Sequence, residues 1–298
     1  VGTVIEASVP DALLGTVCEI ERQNSKSPLL SQVVGFKGNK TLLLPFAEMS
    51  GIGPGSHIKK KGLYDDIKIS ENLLGRVINA FFLPLDGKNL DMIQPIDKRK
   101  IERAPPNPLT RQRIQKQLPL GIRSLDSLLS FAEGQRTAIM SGSGVGKSVL
   151  LGMIAKGCEC DVNVIALIGE RGREVKEFIE KDLGTDGLRK SIIVAVTSDE
   201  SPLMKLRGAK IATTIAESFA DKGKKVLLMM DSLTRVAQAQ REIGIAIGEP
   251  PASKGYTPSV FSLLPKLLER CGTSTQKGGS ISGLYTVLVD GDDFNDPI

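Results

Sequence analysis

The twelve residues from Thr137 to Ser148, TAIMSGSGVGKS, constrain this chain more than any other stretch. Thr137-Ala138-Ile139-Met140 is a short apolar run of the kind that forms a buried strand. Gly142, Gly144 and Gly146 follow, then Lys147 and Ser148, then an apolar segment, Val149 to Ala155, that suits a helix. Strand, glycine-rich loop, Lys-Ser and helix is the pattern of a phosphate-binding loop. Glycines let successive backbone N–H groups turn inward around an anion, and a helix N-terminus adds unsatisfied donors and partial positive charge. The nucleotide-binding residues are thus expected at Gly142, Ser143, Gly144, Val145, Gly146, Lys147, Ser148 and Val149. Lys147 is placed to reach the β- and γ-phosphates, and the Ser148 hydroxyl to bind Mg²⁺. The strict pattern has Gly five residues before Gly146, whereas this chain has Ser141. The cradle is formed chiefly by residues 144–148, so the departure weakens the motif little.

Beyond Gln135 the sequence alternates between apolar strands and helical patterns. Val162–Ile168, Ile192–Val196, Val226–Met230 and Leu284–Val289 read as strands. Helices are expected at about 173–181, 202–222, 232–243 and 260–270. In the 202–222 segment, Leu203, Leu206, Ile211, Ile215 and Phe219 recur at mostly helical spacing, and Gly223 is the stop. Such alternation predicts an α/β fold: a mostly parallel sheet covered by helices on both faces.

The first 70 residues differ. Val1–Ala7, Thr16–Glu21, Ser31–Phe36 and Lys40–Pro45 are β-rich and separated by Asn, Gly and Pro turns, which predicts a small antiparallel β-barrel. Residues 71–120 connect the two parts. They hold a strand-like Leu74–Ile78, a turn at Pro84–Gly87, and Ala104-Pro105-Pro106-Asn107-Pro108, which cannot be helical. Ser124–Phe131 is a short helix candidate with Leu125, Leu128 and Leu129 on one side.

With 298 residues, 41% apolar and 24% charged, the chain has room for two domains and a large core. No run approaches 18 apolar residues, and nothing at the start resembles a signal peptide, so a cytoplasmic location is expected. A net charge of +5 is an ordinary solvated surface for this length. Cys18, Cys158, Cys160 and Cys271 form no paired C-x-x-C, and His57 is the single histidine, in a loop after a Gly-Pro cluster. That pattern argues for reduced, partly buried thiols rather than zinc.

In open parallel sheets, ligands sit at the carboxyl ends of strands. Polar groups mark four such ends: the phosphate loop, Gly169-Glu170-Arg171, Asp231-Ser232 and Asp290-Gly291-Asp292-Asp293. Asp231 ends an apolar strand 84 residues after Lys147, the form of the Walker B acid that holds Mg²⁺ through water. Glu170 ends another. It is placed either to deprotonate a water attacking the γ-phosphate or to pair with Arg171 or Arg173, and spacing leaves both open.

Several motifs stand together in order: SGSGVGKS at 141–148, GERGRE at 169–174, DSLTR at 231–235, AQREI at 239–243, GEPPASKGYTPS at 248–259 and GDDFNDP at 291–297. On these the chain closely resembles the flagellar type III export ATPases, also called flagellum-specific ATP synthases, which are relatives of the rotary ATP synthase α and β subunits. The resemblance implies a P-loop (RecA-like) ATPase domain at 121–298, after a connecting segment at 71–120 and a barrel at 1–70 whose first strand is cut short. It implies Glu170, Lys147 and Arg171 as catalytic residues. Ser148 and Asp231 would hold magnesium, Asp231 through water. The cofactor is Mg²⁺ with ATP, and ADP is the product. It implies a homo-hexamer, with residues 248–259 facing the pore where a central stalk protein inserts. A regulatory stator protein, export chaperones and substrates, and a membrane export gate are the further partners, and the location is peripheral to the inner membrane. The family's helical C-terminal domain, arginine finger and adenine-facing aromatic fall beyond Ile298. The chain as it stands is therefore expected to hydrolyse ATP poorly, since an arginine finger typically contributes roughly 10³–10⁵ in rate.

Three other readings are open. A non-catalytic subunit of a rotary ring carries Gln where Glu170 stands. An RNA translocase with the same ring needs exposed aromatics and a basic track, but the first 70 residues offer Phe36, Phe46, Tyr64 and one short run, Lys59-Lys60-Lys61. No nucleic-acid partner is therefore expected. A virulence-type secretion ATPase shares the chemistry and the ring, and differs only in the system it serves.

Overall fold

The computed structural model describes all residues except 1–3, 24, 26, 91–93, 95, 143, 274–277 and 290–294. Expectations for Ser143, for residues 290–293 and for most of the 291–297 motif therefore lie outside the described residues.

Five strands open the chain: β1 (Ile5–Ala7), β2 (Thr16–Ile20), β3 (Leu29–Lys37), β4 (Lys40–Pro45) and β5 (Ile58–Leu63). They form one antiparallel sheet in the order β1-β4-β3-β2-β5. Cys18, Ile20, Leu29, Val33 and Leu43 make its small core. The β5 strand has the sequence IKKKGL, without apolar alternation, and turn punctuation does not reveal it. It is an edge strand, and edge lysines keep such strands from pairing further.

Strand β6 (Asp66–Ile69) pairs with β8 (Asp97–Lys100) across some thirty residues, a pairing that local pattern cannot show. Between them lies β7 (Val77–Ile78). Helix α1 (Arg123–Leu128) corrects one expectation: Leu125 packs on the core, but Leu128 and Leu129 are exposed. The helix ends at Leu128, after under two turns. Leu129 already leaves the helical conformation, with φ −123° and ψ 18°. An apolar line at helical spacing has no length over which to form.

The remaining elements build the second domain. They are β9 (Arg136–Ser141), α2 (Lys147–Gly157), β10 (Val162–Glu170), α3 (Gly172–Glu177), α4 (Gly184–Arg189), β11 (Ser191–Thr197), α5 (Pro202–Ala220), β12 (Lys225–Asp231), α6 (Leu233–Ala246), α7 (Pro258–Leu268), β13 (Gly272–Thr273) and β14 (Ser280–Leu288). A π-helical stretch, Phe178–Leu183, follows α3 where a single continuous helix was expected.

Strands β9, β14, β12, β10, β11 and β7 lie side by side, all parallel, and β13 adds an antiparallel stub. Their residues alternate between two cores, as a period of two requires. Val164, Ala166 and Ile168 of β10 face one core with α5, α6 and α7, whereas Ile165 and Leu167 face the other with α2 and the π-helical stretch. Both faces are covered, so the strands read as unbroken apolar runs. Fully burying one such Ile or Leu contributes on the order of 1.5–3 kcal/mol.

Helix α5 begins as the sequence indicates. The Ser201 hydroxyl accepts the Met204 N–H at 3.4 Å, Pro202 occupies the first turn, and Gly223 takes φ +88° just past the end.

Candidate active site

The strand order places β14 between β9 and β12, and β10 beside β12. Because these strands are parallel, their carboxyl ends share one edge. The phosphate loop, Glu170, Asp231 and Leu288 are thereby gathered from four separate stretches of chain. All but Asp231 border a cleft of about 520 Å³, lined by Gly142, Gly144, Gly146, Lys147, Ser148, Val149, Glu170 and Arg171 among others, and Asp231 borders a small void beside Ser148 and Glu170.

The loop has the geometry that its glycines allow. Gly144 and Gly146 take φ +80° and +87°, and Gly146 caps α2. Ser141 ends β9, paired with Leu288, and its carbonyl accepts the Val289 N–H at 3.0 Å. That extended backbone suits any L-residue, which explains why glycine is not needed there. Val149 and Ser148 are exposed at the cleft, and Val145 is exposed as well. Close packing fixes α2 behind the loop: a Cβ on Gly152 would lie 2.6 Å from the Asp182 carbonyl oxygen.

Lys147 is nearly buried and donates to Asp231 Oδ1 at 2.6 Å, with Glu170 Oε1 3.9 Å away. The Thr286 hydroxyl donates to the same Asp231 oxygen, also at 2.6 Å. Burial first, and the negative charge of Asp231 second, raise the Glu170 carboxyl to about 7 against the opposing charge of Lys147. Its side chain is 21% exposed, so it keeps access to the cleft. Of the two readings that spacing left open, pairing with Arg171 is not what is seen. Arg171 is 68% exposed at the cleft rim and pairs with Glu174 at 3.4 Å.

Two residues to which sequence reasoning gave no role stand in this constellation. Arg235, one helical turn beyond Asp231, lines the cleft and donates to Gln238 at 2.8 Å, while its Nε is buried without a partner. Gly169, at φ +76°, makes room for it, since a Cβ there would meet Arg235 Cβ at 2.9 Å. The signal was available in DSLTR: an arginine in the first turn of a helix that starts at the strand end must project near that end. Thr286 gives no such signal, being one polar residue within an apolar strand.

The donors available to a cation are a hydroxyl, Ser148, and a carboxylate, Asp231. They share a void of about 10 Å³ with Glu170 and Glu174, roughly the room one water takes. An all-oxygen set of this kind fits a hard cation such as Mg²⁺. Among the described residues no cluster of three or more His, Cys, Asp or Glu is arranged to hold a metal by protein ligands alone. Mg²⁺ characteristically keeps waters and substrate phosphates as ligands instead.

The ATP synthase alpha/beta family nucleotide-binding domain matches residues 121–298, and that family's beta-barrel domain matches residues 1–62. The chain belongs to the ATP synthase alpha/beta family. Within this family it is 52% identical over 300 residues to the flagellum-specific ATP synthase of Bacillus subtilis (strain 168), with 100% of this chain and 67% of that protein covered. It is 50% identical over 297 residues to the flagellum-specific ATP synthase of Treponema pallidum (strain Nichols), with 100% and 66% covered. Among solved structures, the assembled ATPase EscN from the enteropathogenic E. coli type III secretion system superposes with a TM-score of 0.91 at 45% identity, covering 99% of this chain and 70% of EscN. The chain thus spans about two thirds of the length of these relatives. It carries the family's barrel and nucleotide-binding domains, and no helix among the described residues is long and apolar enough to cross a membrane.

Proposed function

We propose that this chain is the nucleotide-hydrolysing portion of a flagellar protein-export ATPase. The observation that carries this reading is the meeting of Lys147, Glu170 and Asp231 at the mouth of the phosphate loop, within 3.9 Å of one another through Lys147. The loop amides of residues 142–148 would cradle the phosphates of ATP, and Lys147 would leave Asp231 to bind their β- and γ-oxygens. Ser148, directly, and Asp231, through water, would hold Mg²⁺, which supplies charge neutralisation across the β- and γ-phosphates. Glu170 would orient the attacking water and take its proton. A carboxyl raised to about 7 is matched to that task near neutral pH. Arg235, which lines the cleft, and Arg171, on its rim, are placed to meet charge on the terminal phosphate.

The flagellar relatives favour export of flagellar subunits as the process served. A protein named "Type 3 secretion system ATPase", from Xanthomonas euvesicatoria, is 46% identical over 301 residues, so a virulence secretion system is the second reading. We further propose a homo-hexamer acting in the cytoplasm at the inner-membrane export gate. Its partners would be a regulatory stator protein, a central stalk protein, and export chaperones with their substrates. EscN has been solved in complex with its central stalk EscO, which supports the stalk. Replacing Glu170 with Gln tests the catalytic reading: Mg-ATP binding should persist while steady turnover is abolished. Undiminished hydrolysis by Glu170→Gln would remove Glu170 from the mechanism.

A further inference from the structure

We infer that Thr286 is the residue that positions Asp231 for the magnesium-bearing nucleotide, an assignment that rests on the reading of the cleft given above. Thr286 lies on β14, the strand wedged between the phosphate-loop strand β9 and the Asp231 strand β12, opposite Ile139 in the register. Its side chain is fully buried, and its hydroxyl donates to Asp231 Oδ1 at 2.6 Å and lies 3.4 Å from the Met230 carbonyl. The neighbouring residues of β14, Tyr285 and Val287, are buried in the apolar core. A polar side chain buried in that strand is costly unless its partner offsets the burial, and here the partner is the carboxylate that also pairs with Lys147.

What Thr286 does follows from which oxygen it holds. Lys147 and Thr286 both donate to Oδ1. With two donors fixed on one oxygen, the carboxylate plane is set, Oδ2 is left for other ligands, and Asp231 borders the small void shared with Ser148. When phosphates draw Lys147 away, Thr286 is, among the described residues, the donor left on Oδ1. Without its hydroxyl the Asp231 carboxylate is then free to turn. That misplacement costs affinity where Asp231 holds the cation, and not where the nucleotide binds without magnesium.

Calorimetric titration of the purified protein with the non-hydrolysable analogue AMP-PNP, once in excess MgCl₂ and once in EDTA, tests this. Thr286→Val is expected to weaken binding about tenfold or more in magnesium, the scale of a hydrogen bond to a charged group, and to leave binding in EDTA within about twofold. Thr286→Ser, which keeps the hydroxyl, is expected to restore the wild-type affinity in magnesium. Thr286→Ala is expected to match Thr286→Val and replaces it if the valine variant does not fold. Equal binding by wild type and Thr286→Val in magnesium overturns the assignment, as does an equal loss in both buffers, which would mark Thr286 as merely structural. A wild-type protein that binds no AMP-PNP in magnesium overturns the reading of the cleft itself, a result distinct from either of these.

Discussion

Glu170 sits where ionisation is opposed, and that has a consequence measurable without any nucleotide. Its carboxyl is raised from an ordinary 4.5 to about 7, by burial first and by the charge of Asp231 second. The folded protein therefore holds a proton that the unfolded chain releases, between about pH 4.5 and pH 7. Stability is fully present below the lower value and is lost as pH rises through the upper one. A shift of this size corresponds to no more than roughly 3–4 kcal/mol at about 1.4 kcal/mol per unit. Partial exposure of the side chain and relief by Lys147 lower the realised effect to roughly 1–3 kcal/mol. Glutamine has the same shape and never ionises. Glu170→Gln should thus exceed the wild type by less than about 1 kcal/mol at pH 5 and by roughly 1–3 kcal/mol at pH 8. Urea denaturation of both proteins at the two pH values, in magnesium- and nucleotide-free buffer, measures the difference. A gain of the same size at pH 5 and pH 8, or a variant less stable than wild type at pH 8, would refute the reasoning.

Three further outcomes are expected. The buried Arg270 guanidinium donates to both Glu217 oxygens at 2.8 and 2.9 Å, to Thr214 and to the Ile101 carbonyl. Arg270→Leu should cost about 3–5 kcal/mol in urea denaturation by leaving the buried Glu217 with only the longer ion pair to half-exposed Arg103 among the described residues, and adding Glu217→Leu should recover much of that loss. Gly152→Ala should lower the thermal midpoint by several degrees, because its methyl would collide with the Asp182 carbonyl and separate α2 from the π-helical stretch. Leu128→Ser, at a site 79% exposed, should leave stability within about 0.5 kcal/mol of wild type.

Much of this was readable in the residues because several levels of pattern agreed. Each of β10, β11 and β12 is a near-continuous apolar run bounded by helical periodicity, so strand existence and the two-faced burial of the sheet were legible without coordinates. Asp231 was legible for the same reason, as a polar residue at the end of such a run, and Lys147 from the glycine-rich loop that precedes it. What escaped notice depended on contacts between distant stretches. The pairing of β6 with β8 has no local signature. The exposure of Leu128 is set by where α1 stops, which its leucine spacing does not encode. Sequence spacing left the partner of Glu170 open, because its electrostatic surroundings come from Asp231 and Lys147 on two other elements. Thr286 acquires its place only once the parallel register lays β14 between β9 and β12.

The most direct test is a crystal structure of the protein with Mg²⁺ and AMP-PNP. In that structure Lys147 Nζ should have left Asp231 for the β- and γ-phosphate oxygens, the Glu170 carboxylate should face the terminal phosphate across one water, and Thr286 should still donate to Asp231. A nucleotide bound away from residues 142–148, or a Lys147 still paired with Asp231 beneath a bound triphosphate, would contradict the account.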